Sequence, residues 1–255
     1  MGKNKLKKFA DMKGFGCALE YPREELLRLG FPYQGKWNSE VFSAALPITL
    51  ELGCGRGEYT VGLARNYPSR NFIGIDIKGA RMWAGAKTVE EDKIPNARFL
   101  RSEIENIDKF FIPCEVDELW ITFPDPQMQK PRKRLTSTRF LNLYRRILQP
   151  DGIVNLKTDS PFLYEYTRRL VAINGLPLLT DIPDLYSEEF TPAEEEKDYR
   201  AIRTYYEQQW LDRGKSIKML RFRLPAVGEL QEPESDDIPR DDYRSVKGRP
   251  DNSRK

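Results

Sequence analysis

The sequence predicts an α/β fold with a doubly wound, mostly parallel sheet and a late antiparallel strand. Strand-like and helix-like stretches alternate along the middle of this 255-residue chain, which is typical of parallel strands joined by crossover helices. A turn with three glycines also follows one apolar stretch and precedes a helix-like stretch. That order of strand, glycine turn and helix is common at the ligand-binding edge of such sheets.

The elements can be assigned in chain order from their residue patterns. The strand-like segments are apolar and rich in β-branched or aromatic residues, and they cover 48–52, 72–77, 98–100, 116–123, 152–157 and 218–224. The helix-like segments cover 58–66, 80–91, 137–148 and 161–173. The sequence Q-P-D-G at 149–152 is a helix stop followed by a turn, so it separates the third helix from the strand that follows.

Composition divides the chain into three parts. Residues 1–21 include five lysines and are expected to form a basic, flexible arm. Residues 22–227 hold the alternating segments and are expected to form a single domain with one core. Residues 228–255 are charged, contain proline and lack an apolar period, so a disordered tail is expected.

Composition also excludes several classes of protein. The formal net charge is only +3, so a polyanion would have to bind at a local basic site. The three cysteines are widely spaced and histidine is absent, which matches neither a disulfide framework nor a usual zinc site. No apolar run reaches membrane-spanning length. We therefore expect a cytoplasmic protein without a bound metal. The sequence leaves open whether it is a monomer or a homodimer.

The glycine turn indicates a nucleoside cofactor. Glu51 lies directly before Gly53 and Gly55, in the pattern E-x-G-x-G-x-G, where a dinucleotide site would have G-x-G-x-x-G. A carboxylate there would repel a pyrophosphate but attract the sulfonium and ammonium groups of S-adenosylmethionine. Asp76 ends the next strand, where a carboxylate can accept hydrogen bonds from ribose hydroxyls. A tight turn without any ligand would show the same three glycines, but not the second acidic strand end.

Carboxylates lie at the ends of five successive predicted strands. A single carboxylate in such a position would mean little, but five of them indicate a shared site. The carboxyl ends of parallel strands meet at one edge of the sheet, where ligands bind. These five residues are therefore expected to line a single polar crevice; they are Glu51, Asp76, Glu103, Asp125 and Asp159.

The segment after the fourth of these strands has features of a substrate site. Asp125 lies between two prolines, which restrict the backbone around its carboxylate. A basic run, K-P-R-K-R at 130–134, follows it. Either feature alone is common in solvated loops. Together, beside a predicted ligand crevice, they indicate a clamp for nucleic-acid phosphates that includes Arg132 and Lys133.

These motifs together resemble the bacterial tRNA (guanine-N7-)-methyltransferase family, whose members modify guanosine at position 46 in the tRNA variable loop. The matching pieces occur in family order: LELGCGRGEYT, FIGIDI, F-P-D-P with its basic tail, K-T-D at 157–159 and T-Y-Y-E at 204–207. The resemblance implies a Rossmann-like methyltransferase fold, S-adenosylmethionine as cofactor and tRNA as substrate. It places Glu51, Asp76, Glu103 and Asp125 at the cofactor and makes Asp125 the catalytic residue. It places Lys130, Asp159, Thr204 and Glu207 at the substrate.

The chain departs from the family pattern near this basic run. Gln127-Met128-Gln129 replaces the usual tryptophan region, the family histidine is absent, and the segment is two residues shorter. Both Lys130 and Lys133 are therefore candidates for the family lysine. Glu103 occupies a position where aspartate is usual.

The expected chemistry needs no histidine. Guanine N7 has a lone pair and no proton at neutral pH, so it can attack a sulfonium methyl group without a general base. Asp125 is expected to orient guanine, with electrostatic stabilisation second. Two alternatives remain open from the sequence. One is a methyltransferase for amino groups of another nucleic acid or a protein. The other is a non-catalytic RNA-binding module of the same fold.

Overall fold

The computed structural model describes residues 3–187 and 198–241 as helices, strands and loops. Within these residues the strands are β1 (Ala18–Glu20), β2 (Ile48–Leu52), β3 (Asn71–Asp76), β4 (Ala97–Arg101), β5 (Val116–Thr122), β6 (Leu148–Thr158), β7 (Leu178–Ile182) and β8 (Lys218–Leu224). The α-helices of the same residues are α1 (Lys3–Gly14), α2 (Arg23–Leu29), α3 (Glu58–Asn66), α4 (Gly79–Glu91), α5 (Thr138–Tyr144), α6 (Pro161–Ile173), α7 (Asp198–Ala201) and α8 (Tyr205–Leu211).

The strands form one sheet in the order β1-β4-β3-β2-β5-β6-β8-β7. All pairs from β1 to β6 are parallel, whereas β8 runs antiparallel to both β6 and β7. The predicted fold class, including the late antiparallel strand, is confirmed. The order reverses direction at β2, so the carboxyl ends of β2, β3 and β5 enclose the crevice of a doubly wound sheet.

Alternating strand residues supply the core on each face of the sheet. Leu50 and Leu52 point to a face covered by α5 and α6, whose buried side chains include Phe140 and Tyr166. The opposite face is covered by α3 and α4. No helix among the described residues is both long and apolar enough to cross a membrane.

Two boundaries differ from the sequence prediction around β6. Helix α5 ends at Tyr144 and not at residue 148, because Ile147 accepts a hydrogen bond from Val116 N and has left the helical path. The Q-P-D-G segment lies within β6 and is not a separate turn; Asp151 there has a left-handed φ of 58°. Strands β1 and β7 were also missed, since segments of three and five residues are too short to show a clear period.

The prediction of a flexible arm at 1–21 is wrong for the part that the structure describes. Helix α1 packs on α4, where Trp83 Nε1 donates to Asp11 Oδ2 at 2.9 Å and Lys8 lies over the Trp83 ring. Met12 and Cys17 are buried. Strand β1 pairs with β4 and forms an edge of the sheet. The arm therefore contributes to the core, and residues 1–2 lie outside the described residues.

The prediction of a disordered tail at 228–255 is wrong for residues 228–241, which we name the C-terminal strap. Ile238 is buried against the core, and Asp237 forms an ion pair with Arg169 of α6 at 2.7 Å. Asp241 is also buried. Residues 242–255 lie outside the described residues. The division of the chain into a single domain at 22–227 with an arm and a tail stays a prediction.

Candidate active site

Two adjoining cavities form a groove at the carboxyl ends of β2 to β5. One has a volume of about 350 Å³ and lies between the glycine turn and the residues after β5. The other has a volume of about 450 Å³ and lies beside the residues after β4. The groove is continuous because Gly53 and Asp76 line both cavities. It gathers all the predicted cofactor residues: Glu51, Gly53, Gly55, Asp76, Glu103 and Asp125.

Four N–H groups of the glycine turn, those of Gly53, Cys54, Gly55 and Gly57, donate hydrogen bonds within the protein. Gly53 N and Cys54 N both donate to the Ile75 carbonyl, at 2.8 and 3.0 Å. Gly55 N donates to Asp76 Oδ2 at 3.0 Å. The φ angles of 79° at Gly53 and 56° at Gly55 are left-handed, which favours glycine at both positions. Since these donors are already used, the turn is a poor cradle for a pyrophosphate, which needs free N–H groups.

Glu51 is a buried carboxylate at the floor of the groove. Its Oε2 accepts from Thr60 N at 2.8 Å and from the Thr60 hydroxyl, and its Oε1 accepts from Thr122 Oγ1 at 2.6 Å. Burial raises the pKa of Glu51 to about 7, although these hydrogen bonds oppose the rise. A cation in the groove would favour the ionised form, so this carboxylate fits a positively charged ligand.

Asp76 and Glu103 lie at different depths along the groove. Asp76 is half-buried at the end of β3, and its Oδ1 accepts from Lys78 N at 2.7 Å while its Oδ2 accepts from Gly55 N. These backbone donors fix the carboxylate and leave lone pairs for hydroxyl donors of a ligand. Glu103 is exposed just before a short 3₁₀ helix, where its Oε2 accepts from Asn106 Nδ2 at 3.3 Å.

Asp125 lies on an irregular loop between β5 and α5, which we name the substrate loop (123–137). Its carboxylate is exposed, lines the first cavity and accepts from Gln127 N at 3.0 Å. Phe123 and Gln127 flank it with left-handed φ values of 49° and 47°. Such values are uncommon for side-chain-bearing residues and often occur at functional sites. They turn the chain sharply at the end of β5, so that Asp125 faces the groove.

The structure separates the basic run into two kinds of residue. Lys130, Arg132 and Lys133 are exposed on the substrate loop, as a phosphate contact requires. Arg134 is 1% exposed and packs inside the protein. The prediction that the whole run 130–134 anchors tRNA phosphates is therefore wrong for Arg134, whose side chain cannot reach a ligand at the surface.

Two of the predicted substrate residues form an N-terminal cap of α8. The Thr204 hydroxyl accepts from Glu207 N at 3.1 Å, and Glu207 Oε2 accepts from Thr204 N at 3.3 Å, which is a capping box. Thr204 still lines the first cavity. Glu207 is fully buried and forms an ion pair with Lys157 Nζ at 2.8 Å. Asp159, after β6, is also fully buried. Direct substrate contact by Glu207 and Asp159 does not agree with this burial.

Sequence reasoning included Tyr206 only as part of the T-Y-Y-E motif, and it gave no site role to several other side chains of the groove wall. Tyr206 and Trp210 of α8 line the first cavity together with Arg56, Lys78 and Arg81. Tyr206 remains 42% exposed, so an aromatic face is available at the cavity. Two tyrosines directly follow the Thr204 cap, and this pair could have indicated an aromatic surface at the groove. It is informative because a helix packed on the core usually buries its aromatic residues. Within the described residues, no cluster of His, Cys, Asp or Glu side chains could hold a metal ion.

Comparisons with known proteins match this chain to methyltransferases. The family model described as "Putative methyltransferase" matches residues 45–220. A tRNA (guanine-N(7)-)-methyltransferase of Bacteroides thetaiotaomicron is 52% identical over 245 residues, covering 96% of this chain and 95% of that protein. An enzyme of the same name from Porphyromonas gingivalis is 52% identical, covering 92% of this chain and 95% of its own length.

A solved structure with the same fold comes from a more distant protein. The crystal structure of the 16S rRNA methyltransferase KamB aligns with a TM-score of 0.54 at 15% identity, covering 81% of this chain and 95% of that one. At this identity the likeness concerns the fold alone. The matching family model, and the relatives that align over nearly the whole chain, show that this protein belongs to the tRNA (guanine-N(7)-)-methyltransferase family.

Proposed function

We propose that this protein transfers the methyl group of S-adenosylmethionine to N7 of guanosine at position 46 in the variable loop of tRNA. The observation that carries the proposal is the placement of Asp125 at the groove, on the same loop as three exposed basic residues: Lys130, Arg132 and Lys133. A cofactor in the groove and a tRNA phosphate backbone on the loop would meet at Asp125. The names of the relatives supply the substrate class.

The residues of the groove fit S-adenosylmethionine. When bound, this cofactor supplies an electrophilic methyl group on a sulfonium. Glu51 would hold the positively charged end, because its buried carboxylate is the acidic group at the floor of the first cavity. Asp76 would accept hydrogen bonds from the ribose hydroxyls, and Glu103 would lie near the adenine in the second cavity. The occupied N–H groups of the glycine turn favour this cofactor over one with a pyrophosphate.

The side chains at the groove would act on guanine mainly by holding it. N7 needs no deprotonation, so the protein has to align the base and exclude water. Asp125 would accept from the ring N–H or the amino group of guanine, which fixes the orientation of N7. Tyr206 offers an exposed ring against which a base can lie. Thr204, Glu207 and Asp159 would help to hold the wall of the groove in place from inside the protein.

One assay tests the proposed function. The purified protein, unmodified tRNA and S-adenosylmethionine with a labelled methyl group are incubated, and the nucleosides of the product are separated. We expect label in 7-methylguanosine, and no label when the tRNA carries adenosine at position 46. Label in a methylated amino group would support an amino-group methyltransferase. No label in any nucleic acid or protein substrate, together with tRNA binding, would support a non-catalytic RNA-binding module.

Replacement of Asp76 by alanine is expected to weaken S-adenosylmethionine binding. The loss of hydrogen bonds from ribose to a charged acceptor costs about 1.5–3 kcal/mol, which is roughly a 10- to 150-fold increase in Kd. Isothermal titration calorimetry measures this change. Asp151→Ala, at an exposed residue of β6 outside both cavities, is the matched control. An unchanged Kd for Asp76→Ala would contradict the assignment.

Cofactor affinity is expected to increase as the pH rises from about 6 to 8. Glu51 has a pKa of about 7, and a cationic ligand binds its ionised form, so below that pH a proton must be released on binding. The cost approaches tenfold in Kd for each pH unit below the pKa. The effect of Glu51 on folding has the opposite sign. Between pH 4.5 and 7 the native state keeps a proton that the unfolded state loses, so the contribution of Glu51 to the free energy of unfolding decreases as the pH rises through that range.

Calorimetry in buffers of different ionisation enthalpy counts the proton released. Glu51→Gln should retain only the pH dependence that comes from the cofactor itself. If the pH profiles of the wild-type protein and Glu51→Gln coincide, the buried carboxyl group does not titrate on binding.

The substrate loop is expected to supply a measurable share of the salt dependence of tRNA binding. If Lys130, Arg132 and Lys133 neutralise about three phosphates, they contribute a slope of about −2 to −3 in log Kobs against log salt. Changing all three to alanine should flatten the slope by that amount and leave cofactor affinity unchanged. A control with Lys36, Arg65 and Arg146 changed to alanine removes three exposed charges outside the substrate loop and outside both cavities. Equal slopes in the two triple variants would rule out the phosphate contacts.

A cytoplasmic location and a monomeric or homodimeric state stay predictions. Sedimentation velocity with and without tRNA distinguishes the two oligomeric states.

A further inference from the structure

Arg134 is a buried arginine that reaches back to the start of its own loop. Its Nη2 donates to the Met128 carbonyl at 2.9 Å, and its Nε donates to the Gln127 carbonyl at 3.3 Å. These carbonyls lie two and three residues after Asp125, and Gln127 N is the donor to the Asp125 carboxylate. The Arg134 guanidinium therefore links the end of the substrate loop to the backbone that directly follows Asp125.

Two aromatic rings and the C-terminal strap enclose this guanidinium. Its Cζ lies 4.3 Å from the centre of the Tyr166 ring and 4.8 Å from that of Phe162, both on α6. Its Nη1 donates to Ser235 Oγ of the strap at 3.1 Å. The planar fork of arginine matches these separate acceptors, which a lysine could not reach together.

The strap also contacts the loop and α6 on either side of Arg134. Asp241 N donates to Met128 Sδ at 3.2 Å, and Asp241 Oδ1 accepts from Phe162 N at 3.1 Å. Glu232 accepts from the Tyr166 hydroxyl and from Thr138 N at the start of α5. Strap, α6 and loop thus form one hydrogen-bonded unit, although the loop itself contains only a single turn of 3₁₀ helix.

We propose that Arg134 is a positioning residue: with the C-terminal strap, it holds the substrate loop so that Asp125 faces the groove. The catalytic part of this inference rests on the proposed function, whereas the positioning of the loop does not. Burying a charged guanidinium against neutral acceptors costs solvation energy, and hydrogen bonds to several fixed acceptors offset that cost. Arg134 therefore acts through the backbone of the loop, while its neighbours Arg132 and Lys133 face solvent.

Limited proteolysis tests the positioning without any substrate. Trypsin can cleave after Arg132 and Lys133, and the cleavage rate follows the opening of the loop. Arg134→Met should increase cleavage at these two bonds by about 10- to 100-fold, with fragments identified by mass spectrometry. Arg134→Lys should give an intermediate rate. Ser235→Ala, which removes one hydrogen bond, should give an increase of about two- to tenfold.

Kinetics then tests the consequence for catalysis. With both substrates saturating, kcat of Arg134→Met should fall by about 10- to 100-fold, since a small displacement of an orienting group can cost that much. Cofactor Kd should stay within about twofold, because the loop end at Arg134 lies outside both cavities. Arg146→Met is the matched control, since Arg146 is exposed and pairs only with Asp108 among the described residues.

Each outcome decides between the alternatives. Wild-type cleavage rates in both Arg134→Met and Ser235→Ala would overturn the proposal. If Arg134→Met does not fold, Ser235→Ala and Arg134→Lys decide by the same two measurements. A higher tRNA KM with unchanged kcat and cleavage rate would instead make Arg134 part of the binding surface and overturn the positioning role. If the wild-type protein fails to methylate tRNA, the proposed function fails, and proteolysis still decides whether Arg134 fixes the loop.

Discussion

Replacement of Asp125 by alanine is expected to reduce single-turnover methyl transfer by about 100-fold or more while the fold is retained. The side chain is exposed, so its removal leaves no cavity and no buried unpaired group. Among the described residues, the hydrogen bond that its carboxylate makes is the one it accepts from Gln127 N. The lost rate would reflect guanine that is held in the wrong orientation, since loss of alignment is costly even when binding persists.

Asp125→Asn distinguishes orientation from electrostatics. An amide oxygen still accepts a hydrogen bond, so orientation alone predicts partial activity, whereas a requirement for negative charge predicts a loss as large as in Asp125→Ala. Rapid-quench measurements at saturating tRNA and cofactor give the chemical step, and calorimetry gives cofactor Kd. A single-turnover rate for Asp125→Ala close to that of the wild type would exclude the catalytic role.

Replacement of Lys157 by methionine is expected to lower the free energy of unfolding by about 3–5 kcal/mol. Lys157 and Glu207 are fully buried and paired at 2.8 Å, and Lys157 Nζ also donates to the Tyr199 and Ile202 carbonyls. Burial lowers the pKa of Lys157, and Glu207 acts in the opposite direction. Removing the ammonium would leave a buried carboxylate without its ion-pair partner, with neutral donors such as the Tyr186 hydroxyl and Thr204 N.

Thermal unfolding measures this effect. For a chain of this size each kcal/mol shifts Tm by about 2–4 °C, so a decrease of about 6–20 °C is expected. The double variant Lys157→Met with Glu207→Gln should be more stable than the sum of the single changes predicts, because the unpaired charge is gone. Lys36→Met on the surface serves as control and should shift Tm by less than about 2 °C. A Tm decrease for Lys157→Met no larger than this control would contradict the importance of the pair.

The pair also explains how α8 is held beside the groove. Lys157 lies in β6, and Glu207 lies in the first turn of α8, whose neighbouring residues Thr204 and Tyr206 line the first cavity. A loss of the pair should therefore raise the KM for tRNA as well as lower stability. That second effect separates a site-specific role from a purely structural one.

The carboxylates at the strand ends were predictable because their positions follow from local pattern. Each strand is a short apolar run, and the parallel arrangement brings the ends of such runs to one edge. Glu51, Asp76, Glu103 and Asp125 accordingly line one groove. The prediction that Asp159 lines it as well is wrong, because this residue is fully buried and lines neither cavity. The capping box of Thr204 and Glu207 was also readable, since T-x-x-E is its usual spacing. The family resemblance instead suggested a substrate role for both.

The inward direction of Arg134 was not predictable in the same way. In sequence it is one of several basic residues in a row. Its burial depends on Phe162 and Tyr166 in a later helix and on Ser235, which lies 101 residues further along the chain. The same holds for β1, which is too short to show a period and is a strand because β4 offers a free edge.

The sequence by itself determined the fold class, the family and the edge of the sheet at which ligands bind, because hydrophobic period, turn residues and motifs are properties of neighbouring residues. Only the tertiary structure decided which charged groups face the groove and which support it from inside. It buried Glu51, Glu207 and Arg134 and left Asp125 exposed. The physical reason is that burial and hydrogen-bond partners are supplied by residues distant in the chain, and these set solvation and protonation.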